Sequence, residues 1–91
     1  MNDKVFIIGI ELNTKAAYER FENYNLGLGR PEPIVPGLYC LKAPFSFTSF
    51  QLRNNIVNMF QEKCQVFVMK SNIDLAWRLP DQTGQWLRDN I

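Results

Sequence analysis

Histidine is absent from all 91 residues of this chain. That gap removes histidine-based acid–base catalysis, Ser-His-Asp triads, Cys-His dyads and the common zinc sites. Cysteine is scarce: Cys40 and Cys64 are the only two, and they form no CxxC pair. An excess of one charge is missing as well. Ten Lys and Arg stand against nine Asp and Glu, a net charge of +1, and the basic residues are scattered singly. No broad electrostatic attraction to nucleic acid follows from such a pattern, while a local patch assembled by folding or dimerisation stays open. Long apolar runs are lacking too. The longest, Val5–Ile10, falls far short of the roughly 20 residues a membrane-spanning helix needs. Met1-Asn2-Asp3-Lys4 lacks the cationic start and long apolar stretch of a secretory signal. The expectation is a cytoplasmic protein with no membrane attachment.

What is present is apolar and periodic. Hydrophobic residues make up 46% of the chain, which excludes a disordered polymer. Residues 1–91 read as a single domain, with a core over 1–71 and a C-terminal tail over 72–91. A chain this short buries only about 60–65% of its unfolded surface, so association would help it.

Lys4–Ile10 reads as a strand. It has no alternation: Val5, Ile7 and Gly9 point one way, Phe6, Ile8 and Ile10 the other, so both faces need cover. Thr14 is an N-cap candidate, with Asn13 competing. Ala17, Phe21, Tyr24 and Leu28 then form a helical stripe that Gly27 and Gly29 are expected to end. Ile34-Val35, between Pro33 and Pro36, is a short edge strand. Leu38–Lys42 is a third strand, in which Tyr39 is buried or exposed according to register. Ser46 or Thr48 starts a second helix with Phe50, Leu52, Ile56, Val57, Met59 and Phe60 on its apolar side. Val66–Met69 is again apolar on both faces. Asp81 is expected to cap a last helix, Gln82–Asn90, that turns Trp86, Leu87 and Ile91 towards the core.

The order βαββαβ is the ferredoxin-like split βαβ pattern. It implies an α+β fold: an antiparallel four-stranded sheet in the order 4-1-3-2, two helices on one face, and a C-terminal helical tail. In that order a central strand separates Cys40 from Cys64. At about 4.8 Å per strand they lie roughly 10 Å apart, too far for a disulfide, so both are expected to be free thiols.

With both helices on one sheet face, the opposite face of the central strands is open. A homodimer is the expected cover, with Phe6, Ile8, Ile10, Phe67 and Met69 as interface residues. The competing cover is the tail, folded back with Trp77 and Trp86 as packing anchors. Gly27-Leu28-Gly29-Arg30 follows a helix and lacks the P-loop lysine, so it is no phosphate loop.

Three stretches carry a resemblance. They are Val5-Phe6-Ile7-Ile8-Gly9-Ile10-Glu11-Leu12, Gly37-Leu38-Tyr39-Cys40-Leu41-Lys42, and the tail segments Leu75-Ala76-Trp77 and Gln85-Trp86-Leu87-Arg88-Asp89-Asn90-Ile91. Together they resemble the SinR-like family, relatives of the small CRISPR-associated endoribonuclease-type subunit that partners the spacer integrase. The resemblance implies a ferredoxin-like dimer. In the CRISPR-associated branch it also implies metal-dependent nuclease activity in some members and a DNA-bridging role in others. The nuclease residue there is an aspartate ending the first strand, paired across the dimer. Here that position holds Glu11, whose extra methylene moves the carboxylate by about 1.5 Å, and Mg²⁺ tolerates little misplacement.

The resulting expectation is a non-catalytic homodimeric interaction module, in a setting such as prokaryotic or phage defence, with no cofactor. The alternatives are a metal-dependent endoribonuclease using Mg²⁺ or Mn²⁺ on Glu11, and a nucleic-acid binder without chemistry.

Overall fold

Seven elements run β1 (Asp3–Leu12), α1 (Lys15–Glu22), β2 (Glu32–Val35), β3 (Leu38–Pro44), α2 (Ser49–Phe60), β4 (Cys64–Lys70) and α3 (Asp81–Asn90). The computed structural model describes residues 3–27, 29–44, 46–61, 63–71 and 81–90. The four strands form one sheet in the order β2-β3-β1-β4, every neighbouring pair antiparallel. That is the ferredoxin-like α+β arrangement, followed by a third helix.

Local chemistry sets the helix starts. Thr14 is extended at φ −138°, and its Oγ1 accepts the Ala17 N–H at 3.1 Å. Thr48 caps α2 with a full capping box. Its Oγ1 accepts the Gln51 N–H at 3.1 Å, and Gln51 Oε1 accepts the Thr48 N–H at 2.9 Å. Thr48→Ala should therefore cost about 1 kcal/mol of stability, read as a lower urea midpoint.

α1 ends sooner than the glycines suggested. Asn23 Nδ2 donates to the Glu19 carbonyl at 2.8 Å, a side-chain bond that competes with further helix. Tyr24 then lies beyond the helix and is 52% exposed; Leu28 is outside the described residues. Gly27 serves a different purpose from a cap. A Cβ there would sit 2.7 Å from the Lys42 carbonyl oxygen and 3.1 Å from Ala43 Cβ. Its missing side chain lets the loop after α1 lie against β3 and seat Leu26 in the core. Gly27→Ala should destabilise the fold by roughly 1–3 kcal/mol. An unchanged urea midpoint would mean that the loop can withdraw from β3.

The main core lies between the sheet and the first two helices. Phe6, Ile8, Ile10 and Leu12 of β1, with Tyr39, Leu41 and Ala43 of β3, pack under Phe21, Leu52, Ile56 and Phe60. Phe50 departs from the apolar stripe expected of α2. It lies two residues before Leu52, about 200° around the helix, and is 61% exposed. The Arg53 guanidinium lies 4.4 Å from its ring centroid.

A smaller core forms on the other sheet face, where α3 docks. Leu87 packs with Val5 and Cys40, joined by Ile7, Ile34 and Trp86. Among the described residues of the tail, α3 thus lies over this face of the sheet. Trp77 and Ile91, also expected to be packing residues, lie outside the described residues. Cys40 and Cys64 are free thiols, separated by β1 as the strand order requires.

Candidate interaction surface

Sheet register sorts the expected interface residues. Across β1 and β4, Ile7 faces Met69 and Gly9 faces Phe67, while Phe6 faces Lys70 and Ile8 faces Val68. Directly opposed residues share a sheet face. Phe67 and Met69 therefore lie with Val5, Ile7 and Gly9, on the face away from α1 and α2. Phe6, Ile8 and Ile10 lie on the helix side, where they are 0%, 0% and 6% exposed. Those three are core residues and have no surface to offer a partner, which corrects their assignment to an interface.

Phe67 is 64% exposed and Met69 39% exposed. The cause is the placement of α3. Its contacts fall on Val5, Cys40 and Ile34, towards the β2 side of the sheet, and β4 lies at the opposite edge. Gly9, opposite Phe67, adds nothing to cover the ring: a Cβ built there would lie 3.8 Å from Phe67 Cβ. The result is an apolar patch of Phe67 and Met69, continued by half-buried Ile7.

A cleft of about 980 Å³ adjoins the patch, lined in part by Gly9, Glu11, Tyr18, Glu22, Tyr39 and Phe67. It exists because β1 outruns its neighbour. The paired register with β3 stops at Gly9 and Leu38. Beyond it the Ile10 N–H still reaches the Gly37 carbonyl at 2.8 Å, as the Pro36-Gly37 turn, with φ +82° at Gly37, bends away. The Leu12 N–H donates instead to the Tyr18 hydroxyl at 3.0 Å. A side chain thus stands in for the missing strand.

On the helix side of the cleft, the Tyr39 hydroxyl donates to Glu22 Oε2 at 2.5 Å. Phe21 meets the Tyr39 ring edge-on, with centroids 5.0 Å apart. Burial, then the hydrogen bond and charge of Glu22, push the Tyr39 phenol above its usual range. It is held neutral and occupied. Glu11 is exposed at the β1 end, opposite Gln65. Sheet alternation puts it on the Phe67 face, so Glu11 and Glu22 enter the cleft from opposite sides of the sheet. Among the described residues no group of three or more His, Cys, Asp or Glu could hold a metal ion.

The two thiols are poorly suited to nucleophilic work. Burial, and then the charge of Glu32, pushes the Cys40 thiol up to about 12; burial raises Cys64 as well. For Cys40 the folded state holds its proton more tightly than the unfolded chain. Its contribution is complete below about pH 8.5, where the unfolded thiol begins to ionise, and is lost as pH rises towards 12. Stability should fall over that window in a pH series of urea melts. Tyr39 adds to the fall above about pH 10. Cys40→Ala should make the fall below about pH 10 shallower, leaving there the part that Cys64 contributes.

The Tyr18 and Tyr39–Glu22 arrangement was not visible in the sequence. No spacing rule links Glu22 to Tyr39 across 17 positions; only the register of β3 brings them together. No family model, no curated protein and no solved structure matches this chain.

Proposed function

We propose that this chain is a homodimeric interaction module that associates through the bare part of its sheet and performs no catalysis. The observation that carries the reading is the pair Phe67 and Met69, 64% and 39% exposed on the same sheet face. Monomeric proteins rarely leave neighbouring large apolar side chains open without an interaction to make. The size of the chain supports the reading, since a 10.6 kDa domain gains proportionally more from shared burial than a large one does. The resemblance to SinR-like proteins fits it, and with it a setting in prokaryotic or phage defence. Light scattering behind a sizing column tests it. The expected mass is twice the 10.6 kDa of one chain, and a single-chain mass at every concentration would end the reading.

A metal-dependent endoribonuclease is the second reading, favoured by Glu11 standing exposed beside a large cleft. Two copies of Glu11 would then share Mg²⁺ or Mn²⁺. Metal-dependent RNA cleavage that disappears in Glu11→Ala, with the oligomer unchanged, would establish it. A nucleic-acid binder without chemistry would instead show binding that weakens steeply with salt.

A further inference from the structure

The two edges of the sheet are built differently. β2 carries Pro33 and is followed by Pro36, and proline lacks the N–H that another strand would use. β4, Cys64–Lys70, has no proline, no glycine and one charge, Lys70, at its end. Among the described residues it pairs with β1 alone.

Register tells which backbone groups of β4 face outward. The Ser71 N–H donates to the Val5 carbonyl at 2.8 Å, which extends the Phe6–Lys70 register by one residue. Bonded and non-bonded pairs alternate along an antiparallel ladder. Met69, Phe67 and Gln65 therefore bond to β1. Lys70, Val68, Val66 and Cys64 turn their N–H and C=O away from it. The bond from Ile10 to Gly37 gives the same alternation from the β3 side of β1.

We propose that β4 of one copy pairs antiparallel with β4 of a second copy, about a two-fold axis at Phe67, joining two four-stranded sheets into one. This deepens the homodimer reading and rests on it. A second copy is the occupant because the strand is complementary to itself. With Phe67 opposite the partner's Phe67, all seven residues of β4 are paired. Val66 meets the partner's Val68 and Cys64 meets the partner's Lys70, so outward-facing backbone meets outward-facing backbone. The two Lys70 charges stay at opposite ends. Phe67 falls in a non-bonded pair, where side chains come closest, and the two exposed rings cover each other. One contact thus satisfies the open edge and covers part of the apolar patch.

Hydrogen exchange at two protein concentrations tests the pairing, together with the mass of Val68→Pro. In the wild-type dimer the amides of Val66, Val68 and Lys70 should exchange at least tenfold more slowly than after dilution to monomer. Phe67 and Met69 amides should be protected in both states. Val68→Pro deletes one outward N–H and leaves the β1 ladder whole, so it should yield a folded monomer. The wild-type exchange result stands by itself if that variant fails to fold. A dimer whose Val66 and Val68 amides exchange freely would overturn edge pairing and leave the homodimer reading intact. Slow exchange of those amides in a monomer would also overturn it, by showing that the same chain covers the edge. A monomer at all concentrations with free exchange at those amides would end both proposals.

Discussion

Phe67→Glu should convert the proposed dimer into a folded monomer. Phe67 is 64% exposed within one chain, so its replacement leaves the monomer's core untouched. In the proposed dimer the same ring is covered, and symmetry counts the loss twice. Burying a phenylalanine side chain contributes about 1.5–3 kcal/mol. Each ring has at most the 64% left exposed in one chain still to bury, so two rings account for roughly 2–4 kcal/mol, or about 10–10³-fold in Kd at 1.4 kcal/mol per tenfold. Two opposed glutamates add like-charge repulsion to that loss. Sedimentation should give a single-chain mass, with the thermal midpoint of wild type diluted to monomer rather than that of the dimer. Phe6→Glu is the contrasting variant. Phe6 is 0% exposed beneath the helices, and a carboxylate there should unfold the chain outright. If Phe67→Glu instead remained a tight dimer, the interface would lie elsewhere.

Leu87→Ala should cause the second large effect, this time on stability. Leu87 is 4% exposed and is the buried apolar side chain that α3 sets against Val5 and Cys40. Leu→Ala at a buried site costs about 2–5 kcal/mol, which is a large share of the 5–15 kcal/mol typical of a whole domain. Loosening α3 also uncovers Cys40, which is 0% exposed in the intact fold. Alkylation of that thiol under native conditions should accelerate at least tenfold. Truncation after Ser71 takes the same change to its limit, and loss of solubility is the expected outcome. Unchanged stability and unchanged thiol protection in Leu87→Ala would mean that the sheet face does not depend on α3.

Periodicity and caps carried most of the fold into view from the sequence. Thr14, with Asn13 competing, and Thr48, with Ser46 competing, were legible as helix starts because capping is a local interaction, complete within three residues. The doubly apolar β1 announced that both sheet faces needed cover, and α3 supplies it on one side through Leu87. Features that depend on tertiary register were hidden. Whether Phe6 or Ile7 faces the helices is invisible in a strand that is apolar at both, so Phe6, Ile8 and Ile10 were grouped with Phe67 and Met69 although the sheet lies between them. Gly27 looked like a helix terminator, yet its small size serves an approach to Lys42 of β3. The cleft was hidden for the same reason. It arises from the difference in length between β1 and the β2–β3 hairpin, and Tyr18 fills the gap by reaching the Leu12 N–H.

Sedimentation equilibrium of the wild-type chain over a hundredfold range of concentration tests the central claim most directly. The account predicts a species of twice the 10.6 kDa chain mass that dissociates on dilution, with dissociation shifted to far higher concentration in Phe67→Glu. A mass of one chain throughout the range would contradict it, and would leave the exposed Phe67 and Met69 without the partner proposed for them.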